Sequence, residues 1–243
     1  MIDATSGSRA VPAVLFDLDD TLLDYSSPAA LCWADACRTV GGDAGIDVEA
    51  LTIAVEAARS WFWSDPARHA RERVRMLDAW GKIAAAALDR IGRPSETLAG
   101  AIARDFAARR RDAMALYPDA YPCLARMREH GAVLGLVTNG DAEMQREKIA
   151  RFDLERLFDV IVIEGEFGVG KPDPRVYQHA LSALGALPEA AWMVGDNLEW
   201  DVAAPKQLGL RAAWIDRDGD GLPPGHSVHP DRVIRSLAEL GRF

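Results

Sequence analysis

Five short apolar runs punctuate the chain: Val14–Phe16, Val133–Val137, Val160–Ile163, Ala191–Val194 and Ala212–Ile215. Each is apolar throughout and bounded by polar residues or glycine. A strand with one wet face alternates, whereas a strand buried on both faces reads as a continuous run. Helical patterns lie between the last four runs, over about 142–151, 174–185 and 199–209. Another, over 120–130, precedes the second run, and a closing helix is expected over 231–240. Strand alternating with helix predicts an α/β fold, a doubly wound parallel sheet of the Rossmann-like kind.

The spacing is uneven. The first run stands far from the second, and the excess, residues 24–116, has a different texture. It is rich in Ala, Arg and Trp and holds no convincing strand. Helical patterns run through about 28–40, 47–63, 67–91 and 95–115, punctuated by Gly41-Gly42, Asp65-Pro66 and Gly92-Arg93-Pro94. The expected organisation is an α/β core over 10–23 and 117–243 with a helical insertion over 24–116. In that insertion Trp61, Phe62 and Trp63 cannot all point the same way from a helix, so at least one is expected in its core.

Bulk properties narrow the partners. With 243 residues, 49% of them hydrophobic, a large core is available. The net charge of −9, from 28 basic and 37 acidic residues, argues against nucleic acid or an anionic membrane as the main partner. An anionic substrate would need a local positive site. Cys32, Cys37 and Cys123 show no zinc-ligand spacing, and their low, odd count suits free thiols in a reducing compartment. The N-terminal residues lack an apolar signal segment, and no stretch is long enough to span a membrane. The expectation is a cytoplasmic protein, a monomer or homodimer.

Ligands of open parallel sheets collect beyond the carboxyl ends of the strands. Asp17 and Asp19 follow the first run; Thr138, Asn139, Gly140 and Asp141 follow the second. Lys171 lies beyond the third, and Gly195, Asp196 and Asn197 follow the fourth, with Asp201 further on. Several carboxylates, one hydroxyl and one lysine suit phosphoryl transfer. Carboxylate and carbonyl oxygens hold a magnesium ion that also accepts a phosphate oxygen. Two like unit charges 4 Å apart repel by about 4 kcal/mol at an effective dielectric of 20, so a carboxylate needs cations nearby to approach a phosphate. An attacking Asp17 would form an aspartyl-phosphate, and Asp19 is placed to protonate the leaving oxygen and then activate water.

Four motifs occur in order: Asp-Leu-Asp-Asp-Thr at 17–21, Val-Thr-Asn-Gly at 137–140, Lys-Pro-Asp-Pro at 171–174 and Gly-Asp-Asn-Leu-Glu-Trp-Asp at 195–201. Together they resemble the haloacid dehalogenase-like hydrolase superfamily over about residues 13–216. The insertion resembles the α-helical cap of its subgroup I. The resemblance implies that Asp17 is nucleophile and metal ligand. It makes Asp19 the acid/base, with its backbone carbonyl on the metal. Thr138 and Asn139 bind the phosphoryl group, Lys171 balances charge, and Asp196 is a further ligand of Mg2+. Asp201 is a nearby supporting carboxylate, and Thr21 buttresses the loop.

The implied activity is magnesium-dependent hydrolysis of a small phosphorylated metabolite. Family dehalogenases need no metal and usually lack the counterparts of Asp19 and of the Gly195-Asp196 pair. A β-phosphoglucomutase-like phosphomutase shares the site but carries its signature in the cap, where no decisive match is seen. A non-catalytic binding protein on the same fold is the remote alternative. The Thr-Asn-Gly form of the second motif resembles nucleotide and N-acylneuraminate-9-phosphate phosphatases.

Other polar features have plainer readings. Asp20, Asp24, Asp141 and Asp173 are expected to be turn or cap residues. Asp216-x-Asp218-x-Asp220-Gly221 resembles half a calcium loop, but Ser227 stands where the bidentate acid belongs, so a polar turn is expected. His226 and His229 are expected in solvent. Arg109–Arg111 and the Arg68–Arg75 cluster, with acidic neighbours, are expected on solvated helix faces. Pro205 predicts a kink or early break after the fourth motif.

Overall fold

The computed structural model describes residues 12–225 and 227–241. The expectations for the N-terminal residues and His226, and the outermost bounds 10 and 243 of the expected core, lie outside them. In chain order the elements begin with strand β1 (Ala13–Phe16) and the two-residue strand β2 (Leu23–Asp24). Helices α1 (Ala29–Ala36), α2 (Val48–Trp63), α3 (Pro66–Glu72), α4 (Met76–Arg90) and α5 (Glu96–Ala113) follow, with a π-helical turn at Cys37–Gly41 after α1. Then come β3 (Ala115–Leu116), α6 (Ala120–Glu129), β4 (Val133–Thr138), α7 (Ala142–Arg151), β5 (Val160–Ile163), α8 (Glu164–Phe167) and α9 (Pro174–Leu184). Strand β6 (Ala191–Gly195), α10 (Ala204–Gln207), β7 (Arg211–Ile215) and β8 (Arg232–Ile234) follow.

Six strands form one parallel sheet in the order β5-β4-β1-β6-β7-β8. Phe16 lies level with Leu136 of β4 and Val194 of β6, so β4 runs on past the end of β1 to Thr138 and β6 to Gly195. All four residues of β1 are buried, as its unbroken apolar run requires. Val14-Leu15-Phe16 therefore forms the centre of a sheet covered on both faces, and the expected doubly wound parallel architecture is present.

Two compact units emerge. The sheet unit runs through Leu22, resumes over Tyr117–Thr138 and continues from Arg146. The helical unit comprises Leu23–Leu116 and Asn139–Gln145. In the helical unit, Trp33 stacks on Phe106 with ring centroids 3.9 Å apart, and Trp80 meets Phe106 edge-on at 5.0 Å. Leu51, Ile83, Leu88 and Ile102 fill the surrounding core. Its helices start where the caps stand. The Asp47 side chain accepts from the Glu49 and Ala50 amides, Asp65 from Ala67 and Arg68, and Ser95 from Leu98. Pro66 follows Asp65 at the first helical position, where its missing N–H costs nothing. Of the aromatic triplet, Phe62 is buried, Trp63 packs against the core and Trp61 is 51% exposed.

Several expectations are corrected. The pattern over 67–91 is not one helix; it breaks at Arg73–Arg75 between α3 and α4. No glycine or proline marks that break. It forms around Glu72, a buried carboxylate that Arg71 and Lys82 both neutralise. The inserted stretch is not free of strand either, because Leu23 and Asp24 pair antiparallel with Leu116 and Ala115. Two-residue strands are too short to show periodicity. Arg110 is not solvated: it is buried, stands 3.6 Å over the Tyr25 ring and donates to the Tyr25 carbonyl at 2.8 Å. The expected helix over 231–240 is instead the edge strand β8 followed by a single 3-10 turn, Leu237–Glu239. Ser236 opens that turn with a capping box to Glu239, which is the helical signal the sequence carries. The preceding residues pair with β7 because Asp231 N donates to Ala212 O and Asp216 N donates to Ile234 O.

Candidate active site

Beyond the ends of β1 and β6, Asp17 and Asp196 come together with Lys171 and Asp201. Beyond Phe16 the chain stays in the ladder for one more bond, from Asp17 N to Val194 O at 2.9 Å. It then turns sharply. Asp20 adopts φ 60°, and Leu22 N closes back onto Leu18 O at 2.9 Å. Leu18 and Leu22 are buried, so the turn is anchored by its apolar residues while Asp17 and Asp19 are left at the strand end. Thr21, also buried, donates its hydroxyl to Asp196 Oδ1 at a long 3.5 Å.

Lys171, 1% exposed, is the hub. Its Nζ lies 2.7 Å from Asp17 Oδ1 and 2.6 Å from Asp201 Oδ1, and Asp201 is equally buried. Asp201 also accepts the Asn197 amide at 3.1 Å. A Cβ on Gly195 would lie 2.3 Å from the Asp201 carboxylate, so only glycine lets Asp201 fold back against the end of β6. Asp201 sits in a π-helical turn, Leu198–Ala203, opened by the Asn197 side chain accepting from Glu199 and Trp200. Pro205, with no N–H to give, follows in the first turn of α10, so the expected irregularity takes the form of a widened helix. Buried Tyr177 donates its hydroxyl to the Trp200 carbonyl, and Trp214 Nε1 donates to the Asp196 carbonyl at 2.6 Å. Both bonds hold the segment that carries the fourth motif.

Oxygens of Asp17, Asp196 and Asp201 lie within 4.8 Å of one another. One ammonium faces three carboxylates, and the electrostatics register the excess. Burial pushes the Asp17 carboxyl up to about 7, against the pull of Lys171 and with help from Asp201. Burial, followed by the charges of Asp17 and Asp201, raises Asp196 well above the usual carboxylate range. Burial also works against the Lys171 ammonium, but Asp17 and Asp201 outweigh it and raise its pKa. A hard divalent cation on this oxygen-only set would relieve the repulsion, so the residues present fit magnesium.

The remaining motif residues are accounted for individually. Thr138 is buried at the last position of β4. Asn139 follows it, and its carbonyl accepts from Gln145 Nε2 at 3.1 Å. Gly140 takes φ 122°, a conformation side chains disfavour. The Asp19 carboxylate is not in the three-carboxylate group; it meets Lys148 Nζ at 2.9 and 2.8 Å. Sequence reasoning counted one lysine at the site and missed this second one. Lys148 lies in a helix written Ala-Glu-Met-Gln-Arg-Glu-Lys-Ile-Ala-Arg, whose buried positions include Gln145, Lys148 and Ile149. A buried stripe that is mostly polar leaves no hydrophobic period to detect.

Apart from Arg110, the plainer readings match the polar turns and caps that the structure describes. Asp141 accepts from the Met144 amide, Asp173 caps α9 and Asp24 accepts from Ser27. Asp216 binds the amides of Gly219, Asp220 and Gly221 at 3.1, 3.2 and 2.8 Å, forming a polar turn. His229 is exposed. No helix among the described residues is long and apolar enough to cross a membrane.

Known proteins resemble this chain over most of its length. The family model "haloacid dehalogenase-like hydrolase" matches residues 11–209. A phosphoserine phosphatase of Thermus thermophilus is 35% identical, over 93% of this chain and 96% of the relative. An N-acylneuraminate-9-phosphatase of Rattus norvegicus is 31% identical, over 96% of this chain and 94% of the relative. Among solved structures, a 2-haloacid dehalogenase from Pseudomonas syringae superposes with a TM-score of 0.64 at 28% identity, covering 94% of this chain and 95% of the other. The fold is thus common to phosphatases and dehalogenases, and the match over most of the chain makes it a member of the haloacid dehalogenase-like hydrolase family.

Proposed function

We propose that the chain is a magnesium-dependent phosphomonoester hydrolase acting on a small phosphorylated metabolite through an aspartyl-phosphate on Asp17. The observation that carries this reading is the oxygen-only group of Asp17, Asp196 and Asp201 around Lys171, with Asp19 two residues beyond the nucleophile. The dehalogenases that the sequence resembles usually lack the counterparts of Asp19 and Asp196. The names of the two relatives point the same way, since each acts on a phosphate ester of a small molecule.

Asp17, Asp196 and the Asp19 backbone carbonyl would hold the ion, with Asp201 beside them. When bound, it supplies positive charge to the phosphate oxygens. Lys171 neutralises Asp17 and the incoming phosphate, which lets the carboxylate attack phosphorus. Thr138 and Asn139 bind the other phosphoryl oxygens. Asp19 gives a proton to the departing alcohol and then takes one from the water that hydrolyses the acyl phosphate. Residues 10–23 and 117–243 would form the catalytic core. Residues 24–116 would form the cap, the part from which the leaving group is selected in such enzymes.

The test is phosphate release with magnesium from phosphoserine, sugar phosphates, nucleoside monophosphates and p-nitrophenyl phosphate. Turnover of one of them that disappears in Asp17→Asn supports the reading. Halide release from a 2-haloacid that persists in EDTA, with no phosphate ester turned over, would instead mark a dehalogenase.

A further inference from the structure

Lys148 has no part in the chemistry assigned so far, yet it is only 3% exposed. It sits on a helix whose other charged residues behave ordinarily; Arg146, for example, pairs with Glu166 at the surface. Bringing an ammonium out of water costs several kcal/mol, and a buried ion pair stabilises a fold no better than well-packed apolar side chains of similar size. A methionine would fill the same space without that cost, so a stability role does not account for the lysine. Its location does. Nζ lies 2.9 Å from Asp19 Oδ1 and 2.8 Å from Oδ2, which holds both carboxylate oxygens at once.

We infer that Lys148 is a positioning residue that holds the Asp19 carboxylate in place for its proton transfers in phosphate-ester hydrolysis. The inference rests on the phosphatase reading above. Asp19 must serve two different oxygens in turn. As an Asp17 oxygen bonds to phosphorus and the ester P–O bond breaks, the Asp19 carboxyl proton passes to the departing oxygen. A water oxygen then bonds to phosphorus, the bond between phosphorus and Asp17 breaks, and a water proton returns to Asp19. Each transfer requires the carboxylate within hydrogen-bond reach of the reacting oxygen, and small misplacements are costly. A side chain free to rotate would serve neither step well.

The leaving group provides the test. An alkyl phosphate needs its departing oxygen protonated, whereas p-nitrophenolate leaves with little help. Values of kcat/KM for both esters report the steps up to phosphoryl transfer. Lys148→Met is expected to lower kcat/KM for the alkyl ester at least about tenfold more than for p-nitrophenyl phosphate, within the range that general acids supply. Lys148→Arg, which keeps the charge, is expected to recover most of the loss. In an Asp19→Asn background, Lys148→Met is expected to have no further effect on the alkyl ester. Equal losses on both esters, or an undiminished loss in the Asp19→Asn background, would overturn the inference. If Lys148→Met does not fold, Lys148→Gln takes its place; if neither folds, the lysine is structural and the inference is wrong. Wild-type protein that releases phosphate from neither ester would overturn the phosphatase reading instead.

Discussion

Lys171 Nζ lies 2.7 Å from Asp17 Oδ1 in a place where both side chains are almost sealed from water. The same ammonium neutralises Asp201, so removing it strands two buried carboxylates. Lys171→Met is expected to destabilise the metal-free protein by about 3–5 kcal/mol, the usual cost of breaking a buried pair from one side. Denaturant unfolding in EDTA measures this. The same variant is expected to lose phosphate-ester turnover altogether.

Gly195 and Gly81 should respond oppositely to alanine. At Gly195 the new Cβ would meet the Asp201 carboxylate at 2.3 Å, which forces Asp201 off Lys171. A loss of about 1–3 kcal/mol is expected from the overpacking, with a fall in activity. Gly81 lies inside α4 with nothing within 4 Å of a new Cβ, so alanine there is expected to stabilise by about 0.5–1 kcal/mol. Thermal melts of the two variants test the contrast.

Asp119 ties the C-terminal turn to the loop after β1. It accepts from Ser236 Oγ at 2.7 Å and Leu237 N at 2.9 Å, and it pairs with Arg217, whose NH2 donates to Thr21 O at 2.6 Å. Burial works to raise its pKa, but the Ser236 and Arg217 bonds outweigh it and hold the carboxyl below its usual range. A carboxylate lowered in the folded state stabilises above its unfolded pKa of about 4 and loses that contribution as pH falls through the folded value. Asp119→Asn is therefore expected to cost about 1–3 kcal/mol at pH 7, and the gap from wild type should narrow below pH 4. Urea titrations at several pH values follow the difference.

Chelation and the acidic cluster offer another check. EDTA is expected to abolish phosphate release and added magnesium to restore it. Asp196→Asn is expected to raise the magnesium concentration for half-maximal activity by about 10–100-fold or more, since it removes a charged oxygen donor from the site. Activity unchanged by chelation would remove the metal from the mechanism.

Sequence by itself determined five of the six strands of the sheet and the polar residues that follow them. Runs such as Val14–Phe16 and Ala191–Val194 are buried on both faces, so their hydrophobicity alone marks them as strands, and polar residues directly after them must sit at strand ends. That logic singled out Asp17, Thr138, Lys171 and Asp196 as candidates. Tertiary structure decided what depended on partners distant in the chain. Lys148 reads as one more charge on a charged helix until Asp19 is seen opposite it. Arg110 reads as a solvated arginine until the Tyr25 ring is found beneath it. β8 is too short to carry a period and becomes a strand only because β7 offers it a ladder. Local pattern records whether a segment is buried, but it cannot record which distant group neutralises a buried charge or completes a hydrogen bond, because that depends on three-dimensional proximity.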